Sequence, residues 1–123
     1  MSVKYVLDTS AFINLILKRG DKAVDVLKAS ITADLIYYEL GNFLRRVGRA
    51  DLLEEFKNVL KLVGVERVGL DGEALRLALD EGLSYYDAVY LYLSRKYGAA
   101  LISDDSDLIA KGALKTDSLL VGT

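Results

Sequence analysis

The chain has 123 residues, 52% of them hydrophobic, a formal net charge of −2, and neither cysteine nor histidine. That length and apolar content fit one folded domain, 1–123, with a real core, and they exclude a disordered chain. Without Cys or His there is no disulfide framework, no thiol chemistry, no Ser-His-Asp catalysis and almost no scope for zinc.

Hydrolytic chemistry would have to run on carboxylates, with a hard cation such as Mg²⁺ or Mn²⁺. No apolar run reaches the roughly 18 residues of a membrane span, and the start lacks the layout of a signal peptide. A soluble, cytoplasmic protein with no membrane partner is the expectation. The small negative charge gives no overall attraction to nucleic acid, so a phosphate-rich ligand needs a local basic patch or a metal.

In chain order, Tyr5-Val6-Leu7 reads as a short buried strand, followed at once by Asp8-Thr9-Ser10. Phe12, Ile13, Ile16 and Leu17 share one face of a helix that Gly20 ends. Asp8 therefore sits where a strand hands over to a helix, the edge of an open α/β sheet at which ligands bind. It also fits a helix cap, as does Thr9. A short helix is predicted over 21–27 and a brief strand over 29–32. Asp34 is expected to cap a helix that runs to about Val47 with Ile36, Leu40, Phe43 and Leu44 inward.

A further amphipathic helix is expected over 50–63, a strand over 65–68, and helices over 71–81 and 85–97, closed by Gly82 and Gly98. Ala100 to Ser103 reads as a buried strand and 104–107 as an acidic turn into a short helix ending near Lys111. A last strand is predicted over 118–121. Short apolar strands alternating with helices predict an α/β fold with a parallel sheet.

Four acids stand where surface acids would not. Glu39 falls at the border of the apolar face of its helix. Asp87 follows Ser84 by three residues, the spacing of a capping box, yet opens a helix that is apolar on most sides. Ser103-Asp104-Asp105-Ser106-Asp107 repeats the arrangement at Asp8, with more acids than a turn and cap require. Crowded carboxylates repel and raise one another's pKa, so such a cluster favours a cation. An oxygen-only site is how Mg²⁺ is held, and one or two ions can serve phosphodiester cleavage.

The segments VLDTSAF, YYELGNFL, SYYDAVYLYLS and LISDDSDL together resemble the PIN domain and, at this length, a VapC-type toxin ribonuclease. The resemblance covers essentially the whole chain. It implies a three-layer sandwich with a parallel β-sheet flanked by helices, Mg²⁺ or Mn²⁺ dependence and cleavage of single-stranded RNA. Homodimers and a small antitoxin protein are also implied. The catalytic acids it carries over are Asp8, Glu39, Asp87 and Asp105, with Asp8, Asp87 and Asp105 as metal ligands. Asp105 is chosen over Asp104 because the family's acid stands two residues after a Thr or Ser, here Ser103. Asp107, Ser103 and Ser10 are accessory candidates.

Arg45, Arg46 and Arg49 end the Glu39 helix, where they either bind RNA phosphate or complement the helix C-terminus. Lys18, Arg19 and Lys22 form a second basic rim that reads better as solvated surface. Tyr85, Tyr86, Tyr90 and Tyr92 crowd one helix, in a pattern that favours core packing or a dimer interface over base stacking. Two other readings share the fold: an RNA-processing nuclease without an antitoxin, and a non-catalytic RNA- or protein-binding module. A phosphoacceptor receiver domain fits poorly, since only Asp8 stands at the first strand end.

Overall fold

The computed structural model describes residues 3–120. Four strands, β1 (Tyr5–Leu7), β2 (Ser30–Ala33), β3 (Gly64–Glu66) and β4 (Ala100–Ile102), form one sheet in the order β3-β2-β1-β4, every pairing parallel. Helices α1 (Thr9–Lys18), α2 (Asp21–Lys28), α3 (Ile36–Arg46) and α4 (Leu53–Leu60) carry the chain through the first three strands. Helices α5 (Gly72–Glu81) and α6 (Tyr85–Tyr97) then bring β4 to the far side of β1. The strand order thus reverses between β1 and β4, and the crevice outside the carboxyl ends there is the ligand position of open α/β sheets.

Period-2 alternation sorts the strand side chains between two cores. Leu7 and Ile102 face the first core with Phe12, Leu15, Leu40, Phe56 and Leu60, while Val6 and Leu101 face the second with Val89, Tyr90 and Leu93. Both sheet faces are covered, which is why β1 and β4 are wholly apolar runs. Phe12 and Phe56 meet edge to face, centroids 6.4 Å apart, and pin α1 to α4. Gly82 and Gly98 end α5 and α6 in the left-handed conformation (φ 66° and 61°), where a side chain would be strained.

Two local expectations are corrected. Asp34 is not the cap of α3: its Oδ1 accepts from the backbone N–H groups of Val68 (3.1 Å) and Gly69 (3.3 Å), tying the exit of β2 to that of β3. The last segment is not a strand either. After a short helix α7 (Ser106–Ile109), Thr116–Leu120 is a helix, α8, and the parallel pairing beyond β4 shrinks to a single bridge between Ile102 and Leu114. Thr116 spends both its N–H and its hydroxyl on Asp104, which starts a helical turn where an apolar run suggested a strand. Val121 lies outside the described residues. Among those described, no helix is long and apolar enough to cross a membrane.

Candidate active site

The site begins where β1 runs into α1. Asp8 has extended backbone geometry and caps α1, its Oδ1 accepting from the Ala11 N–H (2.9 Å) and from Ser10 Oγ (2.7 Å). The capping and site readings of Asp8 thus coexist in one side chain. Its other oxygen accepts from Ser103 Oγ at the end of β4, and Ser103 Oγ in turn accepts from the Asp105 N–H (3.0 Å). Asp8 is 5% exposed. Burial pushes its carboxyl up to about 6, against the lowering effect of the bonds from Ser103, Ala11 and Ser10.

Glu39 reaches the same edge from α3. Thr9 Oγ1 and Tyr90 OH both lie 2.8 Å from its Oε1 and donate to it, the two hydroxyls being 3.0 Å apart. Tyr90 is buried at the heart of α6, and burial together with the Glu39 carboxylate holds its phenol far above the ordinary range, so it remains a donor. Thr9 orients Glu39, a role that its reading as a helix cap did not contain. Tyr90 was legible only as packing. The one available signal is its position three residues after Asp87, on the same face of the helix.

Asp87 stands in the first turn of α6, whose cap is Ser84 Oγ accepting from the Asp87 N–H (3.1 Å). Asp105 caps the short helix α7 (Ser106–Ile109) by accepting from the Asp107 N–H (2.8 Å). Oxygens of Asp87, Asp105 and Asp107 all lie within 4.8 Å of one another. Burial, then the charges of Asp105, Asp8, Asp107 and Glu39, push Asp87 up to about 6. Asp107 is therefore part of the tight trio, while Asp8 lies beside it, with its oxygens engaged by Ser10, Ala11 and Ser103. Among the described residues, none of these five acids is in an ion pair. Three converging carboxylates without nitrogen or sulfur donors form a set that fits a hard divalent cation.

Asp104 turns elsewhere. It accepts from Asn14 Nδ2 (2.6 Å), Thr116 Oγ1 (2.6 Å) and the Thr116 N–H (2.9 Å). Burial raises its pKa, but the bonds from Thr116 and Asn14 outweigh that and hold it below the usual carboxylate value. Of the basic residues, Arg46 lines a groove of about 440 Å³ that shares Thr9, Ser10 and Glu39 with the site. Arg49 is taken up by Asp51 (3.0 and 3.1 Å), and Arg45 is exposed. Lys18 pairs with Asp117 and Arg19 with Glu55, as a solvated rim would. Tyr85 spends its hydroxyl on the 69–71 loop, Tyr92 lies under Lys96, and Tyr86 is exposed.

A family model described as the PIN domain matches residues 5–114. A Pyrobaculum aerophilum protein named "Exonuclease VapC9" is 34% identical over 129 aligned positions, covering 98% of this chain and 96% of that protein. "Ribonuclease VapC3" of the same organism is 32% identical over 126 positions, covering 89% and 95%. The crystal structure of PAE2754 from Pyrobaculum aerophilum superposes with a TM-score of 0.84 at 35% identity, covering 98% of this chain and 96% of that one. A chain from a toxin–antitoxin complex of Klebsiella pneumoniae shares the fold at a TM-score of 0.67 and 15% identity, over 92% and 98%.

Proposed function

The chain belongs to the PIN domain family and is a VapC-type nuclease, and from that premise we propose that it cleaves single-stranded RNA internally with Mg²⁺ or Mn²⁺. The observation that carries this reading is the acid cluster at the strand-order reversal: carboxylates crowded together with, among the described residues, no cation paired to them. Such a cluster costs stability unless a ligand neutralises it.

Asp87, Asp105 and Asp107 would hold the ion, with Asp8 as a neighbouring charge fixed through Ser103. When bound, the ion supplies charge neutralisation and a more acidic bound water. Thr9 and Tyr90 fix one oxygen of Glu39, which leaves Oε2 to accept a proton from water or a hydrogen bond from substrate. Ser10 Oγ donates to Asp8 and accepts from the Asp104 N–H (3.1 Å), so it locks the two strand ends together. Asp107 is exposed, so a strand need not be threaded by its end to reach the acids; this favours internal cleavage.

The chain is taken as a single PIN-like domain. It is also taken as the toxin of a VapBC-type pair, partnered by a small antitoxin protein. Self-association has a candidate surface. Tyr38, Leu70 and Tyr86, 74%, 98% and 55% exposed, line one groove, more apolar surface in one place than isolated residues give. Light scattering should give twice the monomer mass.

The reading is tested by incubating the protein with linear and circular single-stranded RNA and with duplex RNA, in Mg²⁺, Mn²⁺ or EDTA. Linearisation of the circle with either metal and not in EDTA is expected. Degradation of linear RNA alone would replace internal cleavage with an exonuclease, and an inert protein in every metal would remove the proposal.

A further inference from the structure

The groove beside the acid cluster has a composition that the metal chemistry does not use. Glu39, Asn42, Phe43 and Arg46 fall at i, i+3, i+4 and i+7 on α3, so they form one stripe that runs about 10 Å outward from the site. Facing it on α1 are Thr9, Ser10, Ile13 and Asn14. The groove of about 440 Å³ between the stripes has an apolar floor, two side-chain amides and one cation at its outer end.

Each part is chemically committed or free in an informative way. Asn14 gives its Nδ2 to Asp104 (2.6 Å), so its carbonyl end is left as an acceptor. Asn42 is exposed, and its amide makes no hydrogen bond among the described residues, so it can offer donor and acceptor together. Phe43 is half-buried against the first core and therefore rigid. Arg46 lies over its ring at 5.8 Å, a loose contact from an exposed side chain.

We propose that this groove is a base subsite for the unpaired nucleotide next to the phosphate held at the acid cluster, with adenine favoured and uracil disfavoured. The base takes Arg46's place over the Phe43 ring, since single-stranded bases are held by stacking on aromatic side chains. Arg46, released, pairs with the adjoining phosphate. The fixed acceptor of Asn14 asks for an exocyclic amine, which uracil lacks, and the free amide of Asn42 matches the paired N6–H and N7 of adenine. The inference deepens the nuclease reading and rests on it.

Binding of labelled oligo(A) and oligo(U) pentamers is measured by anisotropy in EDTA, where charge repulsion from the acids affects both alike. The same wild-type, N42A, F43L and R46Q proteins are then mapped for cleavage positions with Mn²⁺. A preference for oligo(A) that drops about tenfold in N42A is expected. F43L should weaken both oligomers about tenfold. R46Q should weaken both while sparing the preference, and should lower the slope of log affinity on log salt by about one. N42A and F43L binding like the wild type, or wild type taking both oligomers equally, overturns the subsite; if Mn²⁺-dependent cleavage persists in that case, the nuclease reading survives it. Base preference lost in N42A without any cleavage by the wild type upholds the subsite and removes the nuclease.

Discussion

At the scale of single residues, the site depends on hydroxyl groups that arrive from distant parts of the chain. Tyr90 lies 51 residues from Glu39, and its hydroxyl shares Glu39 Oε1 with Thr9. Tyr90→Phe removes one of two donors to a part-buried carboxylate, which should cost about 1–2 kcal/mol in stability. RNA cleavage should fall several-fold through a lower kcat with KM little changed, because Glu39 is left free to turn. An equal loss in KM would make Tyr90 a substrate contact instead. Asp104 is the contrasting acid, since its bonds to Asn14 and Thr116 are structural. Asp104→Ala should lower stability by about 2–3 kcal/mol and leave the stabilisation gained from Mn²⁺ as in the wild type. Losing that gain would place Asp104 among the ligands. The acids themselves were legible in the sequence because Asp8 and Asp105 follow strands, Asp87 opens a helix and Glu39 borders an apolar helix face. Tyr90 and Asn14 were not, because what distinguishes them is a partner 51 or 90 residues away.

At the scale of elements, hydrophobic period and glycine stops place every helix through α6 to within a few residues. The misreadings fall where a polar side chain serves another element. Asp34 stands in the turn before α3 and looks like a cap, but the parallel ladder continues through its N–H to Glu66 O (2.9 Å), which aims the side chain at 68–69. Asp34→Ala should therefore speed hydrogen exchange at the Val68 and Gly69 amides and leave the first turn of α3 unchanged. The reverse pattern would restore the capping role. The segment after α7 misled for a similar reason. Its Leu-Leu-Val run has no helical period long enough to read, and the bonds from Thr116 to Asp104 decide its conformation.

At the scale of the whole molecule, the order β3-β2-β1-β4 is what makes the acids a site. It sets the ends of β1 and β4 side by side, with α6 delivering Asp87 beneath them. Pairing order was not legible, since every strand has only three or four residues and none carries a register mark. The convergence of the acids was inferred from chemistry, and the sheet supplies the means. Its electrostatic cost depends on pH. Asp8 and Asp87 have folded-state pKa values of about 6 against an ordinary value of 3.8, so folding favours their protonated forms. The stability this lends is full below about pH 4 and is lost as pH rises through about 6.

The most direct measurement is the melting temperature of wild type and Asp87→Asn at pH 7.5, in EDTA and in Mn²⁺, with a repeat in EDTA at pH 4. Asp87 makes no hydrogen bond or ion pair through its carboxylate among the described residues, so asparagine removes charge and little else. In EDTA at pH 7.5 the variant should melt higher, by about 1 kcal/mol after allowance for solvent screening, or roughly 4 °C. At pH 4 the two proteins should converge. Mn²⁺ should raise the wild type well above its EDTA value and the variant far less, because only binding to the native state adds stability. A variant that melts at or below the wild type in EDTA, with Mn²⁺ shifting both equally, would mean that these acids neither repel one another nor hold a metal.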